Sequence, residues 1–345
     1  MLALNPRVLL MVLLLPAGLW AQDVGAARLK NDIPPRLQWT ANFGYCGEAA
    51  FVSAGLYYGQ YVSQYDARAI ASPGIDQSKA GSQLLVGVND GAAAARMHLQ
   101  AVQWNSVNTP DANAFLTWLK GNVLAGYPVI IGVYENMHAF QGSTEAEAGD
   151  AQYDHIVPVN GISSKYPLTL PPHAYPDDVL ALSDNGLWSP DGAPAYRYHF
   201  SFDRFQANRQ EANAPSQALY SLPRNRQFGV AVTGIIDHDG QTLPVRLWTE
   251  VIDEQPPMAQ HANTRPPSAA LALTVTVSGL KPSVPYTLYR YDTFAAVPDA
   301  AFNANASQAA QQWKVKIKTG STYTLKETIR SDQVAVYRAV PDTAP

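Results

Sequence analysis

From about Gln241 onward, apolar and polar residues alternate and no stretch shows a helical period. The segments LPVRLWTEVID, LALTVTVSGL, YTLYRYD, WKVKIKTG and QVAVYRAV put apolar side chains at every second position. That spacing builds one face of a half-buried strand and excludes an amphipathic helix. Pro-, Gly- or Asp-rich turns separate the segments, so residues 241–345 read as a sandwich-like all-β unit of roughly 100 residues. The stretch PPMAQHANTRPPS, residues 256–268, is either a linker or a long loop within it.

Upstream, residues 37–240 have a different texture, with helical patterns first and apolar runs of strand length afterwards. Ala49, Phe51, Val52 and Leu56 follow Cys46 at helical spacing. A second helix is expected from Asp90 to Gln100 with Asp90 as its cap, and a third after Thr109 as cap and Pro110 at the first helical position. YPVIIGVY, HIVPVNGI and VLALSD then read as buried strands. Helices preceding strands indicate an α+β arrangement. Residues 163–178, rich in Pro, read as a long surface connection, and the Asn/Gln-rich residues 203–226 as irregular chain with a short helix.

The first residues, MLALNPRVLLMVLLLPAGLWAQD, have the form of a secretory signal. Arg7 supplies the charge, Val8 to Leu15 the apolar run, and Ala21 the small residue before cleavage. Residues 1–21 are therefore expected to direct export to a secreted, cell-surface or periplasmic location, with 22–36 as an N-terminal extension. No membrane association is expected after cleavage. Net charge is −4, so no basic surface points to nucleic acid. Asn305-Ala-Ser307 is a glycosylation sequon, relevant only in a eukaryotic secretory pathway.

Exported chains use cysteines in pairs, yet this one has a single cysteine, Cys46, within FGYCGEAAF. A thiol acts as a nucleophile when it is a thiolate, and a helix N-terminus or an adjacent imidazolium favours that form. Cys46 stands where a helix is expected to begin, and its own N–H is a natural oxyanion donor. Gly47 beside it offers room for a substrate carbonyl to approach the backbone. Of seven histidines, His155 stands out because it opens the strand HIVPVNGI behind a turn. The next strand ends in Asp184-Asn185, and antiparallel pairing would carry that end toward the start of the histidine strand. Either side chain could orient the imidazole and hold its tautomer. Tyr57, Tyr58, Tyr61 and Tyr65 read as packing residues. Asp237-His-Asp239-Gly reads as a hairpin turn, since it lacks the further ligands of a calcium loop. No metal site or cofactor is expected.

GYCGE opening a helix, followed by AGYPVIIGVY, DHIVPVNGI and LALSDNGLW, resembles the papain-like cysteine peptidase superfamily. The likeness is greatest to the branch that holds the bacteriocin-leader-processing peptidases and their secreted relatives, and it covers roughly residues 38–234. It implies a papain-like domain of N-terminal helices packed on an antiparallel sheet. It further implies Cys46 as nucleophile, His155 as general base and acid, and Asp184 or Asn185 as the orienting group, with Asp184 slightly favoured by register. Two departures stand out. The family's oxyanion-hole Gln falls six residues before the Cys, where this chain has Thr40; Gln38 or Asn42 would have to supply the amide. The interval from His155 to Asp184 is also longer than usual, with the Pro-rich stretch accounting for the excess.

The expectation is a thiol-dependent hydrolase acting on amide bonds of a peptide or protein. One alternative is an acyl transferase of transpeptidase or transglutaminase type on the same residues. Another is a non-catalytic scaffold whose β-domain binds a wall polymer, a glycan or a protein.

Overall fold

In the computed structural model the described residues are 27–186, 197–249 and 262–342. The expected signal at 1–21, residues Leu187 and Trp188, His261 and the start of the 256–268 stretch lie outside them.

The upstream region begins with β1 (Ala27–Lys30), α1 (Cys46–Tyr57), the short β2 (Gln60–Tyr61) and α2 (Gln64–Ala71). Next come α3 (Asp90–Arg96), β3 (Leu99–Gln103), α4 (Ala112–Leu124), β4 (Val129–Glu135) and α5 (Met137–Gln141). The strands β5 (His155–Ser164), β6 (Val179–Ser183) and β7 (Arg197–Ser201) follow. After them come α6 (Phe202–Phe205), β8 (Gln206–Ala207), α7 (Arg209–Ala212), β9 (Tyr220–Pro223) and β10 (Gly229–Ile235). The chain is thus a mixture of helices and antiparallel sheets, as the α+β reading expects.

One large sheet runs in the order β3-β10-β4-β5-β6-β7, with β1 pairing β5. Its strands alternate between two cores, as a period of two dictates. Ile130, Ile156, Val230 and Val232 face α1, while Val129, Ile131, Val133, Val157 and Val159 face Phe115, Leu116 and Leu119 of α4. Phe51 and Leu56 of α1 are fully buried, each stabilising the fold by about 1.5–3 kcal/mol.

Several local expectations shift. Helix α4 is capped by Asp111, whose Oδ1 accepts from the N–H groups of Asn113 at 2.9 Å and Ala114 at 3.2 Å. A carboxylate satisfying two orphan amides outcompetes Thr109 as the start signal. Helix α3 includes Asp90 as its first residue, with Asn89 at the N-cap position but no side-chain cap bond, and ends at Arg96; His98 adopts φ of 55° and the chain turns into β3, pairing with β10. The connection after β5 begins at residue 165, and it is not wholly at the surface. Asp178 is buried against Lys120, whose ammonium also donates to the His173 carbonyl at 2.7 Å. Asp237 does form a turn, its carboxylate accepting from Gly240 and Thr242 N–H, but it is not a hairpin, because the strands on either side belong to different sheets.

Downstream lie β11 (Val245–Thr249), β12 (Ala270–Ser278), β13 (Tyr286–Tyr291), β14 (Gln311–Val315), β15 (Thr322–Arg330) and β16 (Ala335–Pro341). They form two antiparallel sheets, β11-β12-β15 and β14-β13-β16-β2. The last strand of the second sheet comes from the upstream region: Val336 pairs with Gln60 and Ala335 with Tyr61. One continuous apolar core therefore joins α1 to Leu247, Leu273, Val275 and Leu288. All twelve residues of α1 are buried, Glu48 and Ser53 included, so the helix has no solvent face to be marked by a polar stripe.

Candidate active site

The loop before α1 has an unusual backbone. Asn42, Phe43 and Gly44 have φ of 52°, 68° and 83°, and left-handed conformations at the two non-glycine positions cost roughly 1–2 kcal/mol each. Arg68 of α2 offsets this. Its fully buried guanidinium donates to the carbonyls of Asn42 (2.9 Å) and Gly44, and lies 3.6 Å over the Tyr45 ring. Its charge is met by Glu48, 2.6 Å away and equally buried. Glu48 also accepts from the Leu84 N–H at 2.8 Å. Burial pushes the Glu48 carboxyl above its ordinary pKa, and Arg68 and the Leu84 amide act against that.

The loop thus delivers Cys46 to the first position of α1, where backbone N–H groups lack intrahelical acceptors and favour a negative charge. Gly47 serves a purpose other than the expected one. A Cβ there would come within 1.9 Å of the Leu84 carbonyl oxygen, so its missing side chain makes room for the 84 segment, not for a substrate.

His155 reaches the same place from the sheet. It opens β5 opposite Val133, and β6 runs antiparallel to β5, bringing Asp184 back to the start of the histidine strand. His155 Nε2 lies 3.2 Å from Asp184 Oδ1. The carboxylate is otherwise saturated: Gly186 N–H donates to Oδ1 at 2.7 Å and the Tyr220 hydroxyl to Oδ2 at 2.5 Å. The Tyr220 ring also stacks on the imidazole, with centroids 5.7 Å apart. Cys46, His155 and Asp184 are 8%, 1% and 0% exposed, so these charges are screened little by water.

Burial alone would depress the His155 pKa. Hydrogen bonds to Asp184 and Cys46, reinforced by their negative charges, outweigh it and push the imidazole up to about 10. Burial acts in the opposite sense on Asp184, yet His155, Tyr220 and the Gly186 amide hold its carboxyl below the usual range. With Nε2 facing Asp184, Nδ1 is the nitrogen left for the thiol.

The remaining expected residues separate cleanly. Asn185 does not orient the imidazole; its Nδ2 donates to the Cys46 carbonyl at 2.8 Å, while its own carbonyl accepts from the Gln38 N–H at 2.6 Å. Asn185 therefore ties the start of α1 to the segment carrying Gln38. The Gln38 amide stands at the centre: a Cβ on Gly186 would meet Gln38 Nε2 at 3.1 Å and the His155 ring at 2.9 Å. Gly186 is the position where a missing side chain brings these groups together. Asn42 is not with them. Its Nδ2 is committed to the Ala262 carbonyl at 2.8 Å and the Tyr45 hydroxyl at 3.2 Å, which removes it as an oxyanion donor.

Tyr57, Tyr58 and Tyr61 bind the carbonyls of Gly126, Val232 and Ser331, each at 2.8 Å, as packing residues do. Among the described residues, no group of acidic, histidine or cysteine side chains could hold a metal ion. No protein family, curated protein or solved structure matches this chain.

Proposed function

We propose that the protein is a thiol-dependent hydrolase of peptide amide bonds with a papain-like architecture, exported through residues 1–21. The observation that carries this reading is the junction of a helix-terminal thiol with an imidazole whose far nitrogen faces a buried carboxylate. An imidazole with so high a pKa holds its proton at neutrality, and a cation beside Cys46 favours the thiolate.

The Cys46 sulfur attacks the scissile carbonyl carbon, forming an S–C bond. The oxygen gathers negative charge against the Cys46 N–H and Gln38 Nε2. His155 passes its proton to the leaving nitrogen as the C–N bond breaks. A water molecule then gives a proton to His155 as its oxygen bonds to the thioester carbon, and the S–C bond breaks to regenerate the thiolate. Asp184 stays ionised throughout and fixes the ring.

Native protein should react with iodoacetamide at neutral pH much faster than a free-thiol peptide, with a single adduct at Cys46. His155→Ala should slow both alkylation and turnover of a fluorogenic peptide amide, the latter on the order of a thousandfold. Alkylation at the peptide rate would favour a non-catalytic scaffold.

A further inference from the structure

Glu135 ends β4 and stands opposite Tyr220, while Val133, two positions earlier, stands opposite His155. Residues two apart on a strand share a face, so Glu135 lies on the same face as the imidazole and its stacked tyrosine. Its backbone is fixed at both ends. The N–H donates to Asp154 Oδ2 at 2.8 Å, and the carbonyl accepts from Arg209, which is itself ion-paired to Asp154. The half-buried Glu135 carboxylate, by contrast, has no hydrogen-bond or ion-pair partner among the described residues.

The surrounding charges leave it without compensation. The groups that act on it are His155, Asp154, Asp184 and Arg209. Arg209 is engaged with Asp154 and His155 with Asp184, so among the described residues Glu135 is the charge left over. Half-buried and unpaired, such a group is a ready receptor for a cation. Position decides which part of a substrate it meets. His155 delivers its proton to the leaving nitrogen, and Glu135, one strand away and acting on the His155 charge, adjoins the group that meets that nitrogen.

We propose that Glu135 binds a cationic group on the leaving-amine side of the scissile bond, so that the preferred substrates carry Lys or Arg immediately after it. This inference rests on the thiol-hydrolase reading. Cleaving such bonds is the reverse of adding an amine to the acyl-enzyme, and the same subsite governs both directions.

Partitioning of an acyl-enzyme isolates that subsite. The protein is acylated with the p-nitrophenyl ester of N-acetylglycine, then offered equal concentrations of lysinamide and norleucinamide. The α-amine attacks the thioester carbon, a C–N bond forms, the S–C bond breaks and the amine proton passes to His155. The expected product ratio favours lysinamide on the order of tenfold. Glu135→Gln should bring it to about one, and Glu135→Asp should retain most of the preference. Equal products from the unaltered protein, or a preference that survives Glu135→Gln, overturns the assignment while leaving the hydrolase reading intact. Failure to release p-nitrophenol, together with alkylation at the free-peptide rate, overturns both.

Discussion

The two halves of the proposed catalytic centre are built by different means. The nucleophile half is a loop in left-handed conformations, Asn42 to Gly44, held by the Arg68 side chain, itself paired with Glu48, while Asn185 binds the Cys46 carbonyl beside it. The imidazole half is mounted on ladder hydrogen bonds of β4, β5, β6 and β9, and only its last contacts, Asp184 with Tyr220 and Gly186, are side-chain work. A strand end is rigid without help, whereas a strained loop is only as well placed as its braces. Damage to the first half should therefore appear as lost stability, and damage to the second as altered proton chemistry.

The largest effect expected of this contrast is at Arg68. Arg68→Met leaves Glu48 as an uncompensated buried charge and frees the carbonyls of residues 42 and 44, so unfolding free energy should fall by about 3–5 kcal/mol. Chemical denaturation measures it, and a loss below about 1 kcal/mol, the range of an exposed ion pair, would erase the distinction between the halves. Gln38→Ala comes next. Removing an oxyanion donor should lower kcat on the order of a hundredfold, about 2.7 kcal/mol, whereas Asn42→Ala should act on stability and leave the oxyanion charge untouched.

The smallest effect sharpens the imidazole half. His155 has a folded pKa raised to about 10, so its charged pairing contributes stability in full below its unfolded pKa, near 6.5. That contribution is lost as pH rises through the folded value. The alkaline limb of kcat/KM belongs to the Cys46–His155 pair, and Asp184→Asn should move it down by at least one pH unit, about 1.4 kcal/mol. An unmoved limb would mean that Asp184 does not set the imidazole charge.

Much of this centre was legible in the sequence. The single thiol at a helix start, the histidine opening one strand and the acid closing the next needed only the antiparallel rule to meet. The choice between Asp184 and Asn185 was open because adjacent residues at a strand end differ only in direction, which the turn at Gly186 sets. Gln38 and Asn42 were equally open; what commits Asn42 elsewhere is the Ala262 carbonyl, a partner no local spacing could reveal. Tyr220 was missed because β9 is a four-residue strand in a stretch with no apolar period. Arg68 and Glu48 were missed for a similar reason: two charges far apart in the chain carry no sign that they will be buried together. In the downstream region β15 went unnamed because TYTLKETIR offers few apolar residues, and its strand character comes from pairing with β12 along its whole length.

The pairing of β16 with β2 has a consequence in time. Val336 and Ala335 close onto Gln60 and Tyr61, the Tyr337 N–H binds the Gly59 carbonyl at 2.8 Å, and Arg338 reaches Gln60 and the Tyr58 carbonyl. These contacts sit at the far end of the helix whose first residue is Cys46, yet they are made by some of the last described residues to leave the ribosome. Until that strand arrives, one wall of the helix stays bare. A nascent chain therefore carries Cys46 long before the strand that walls in its helix has been made.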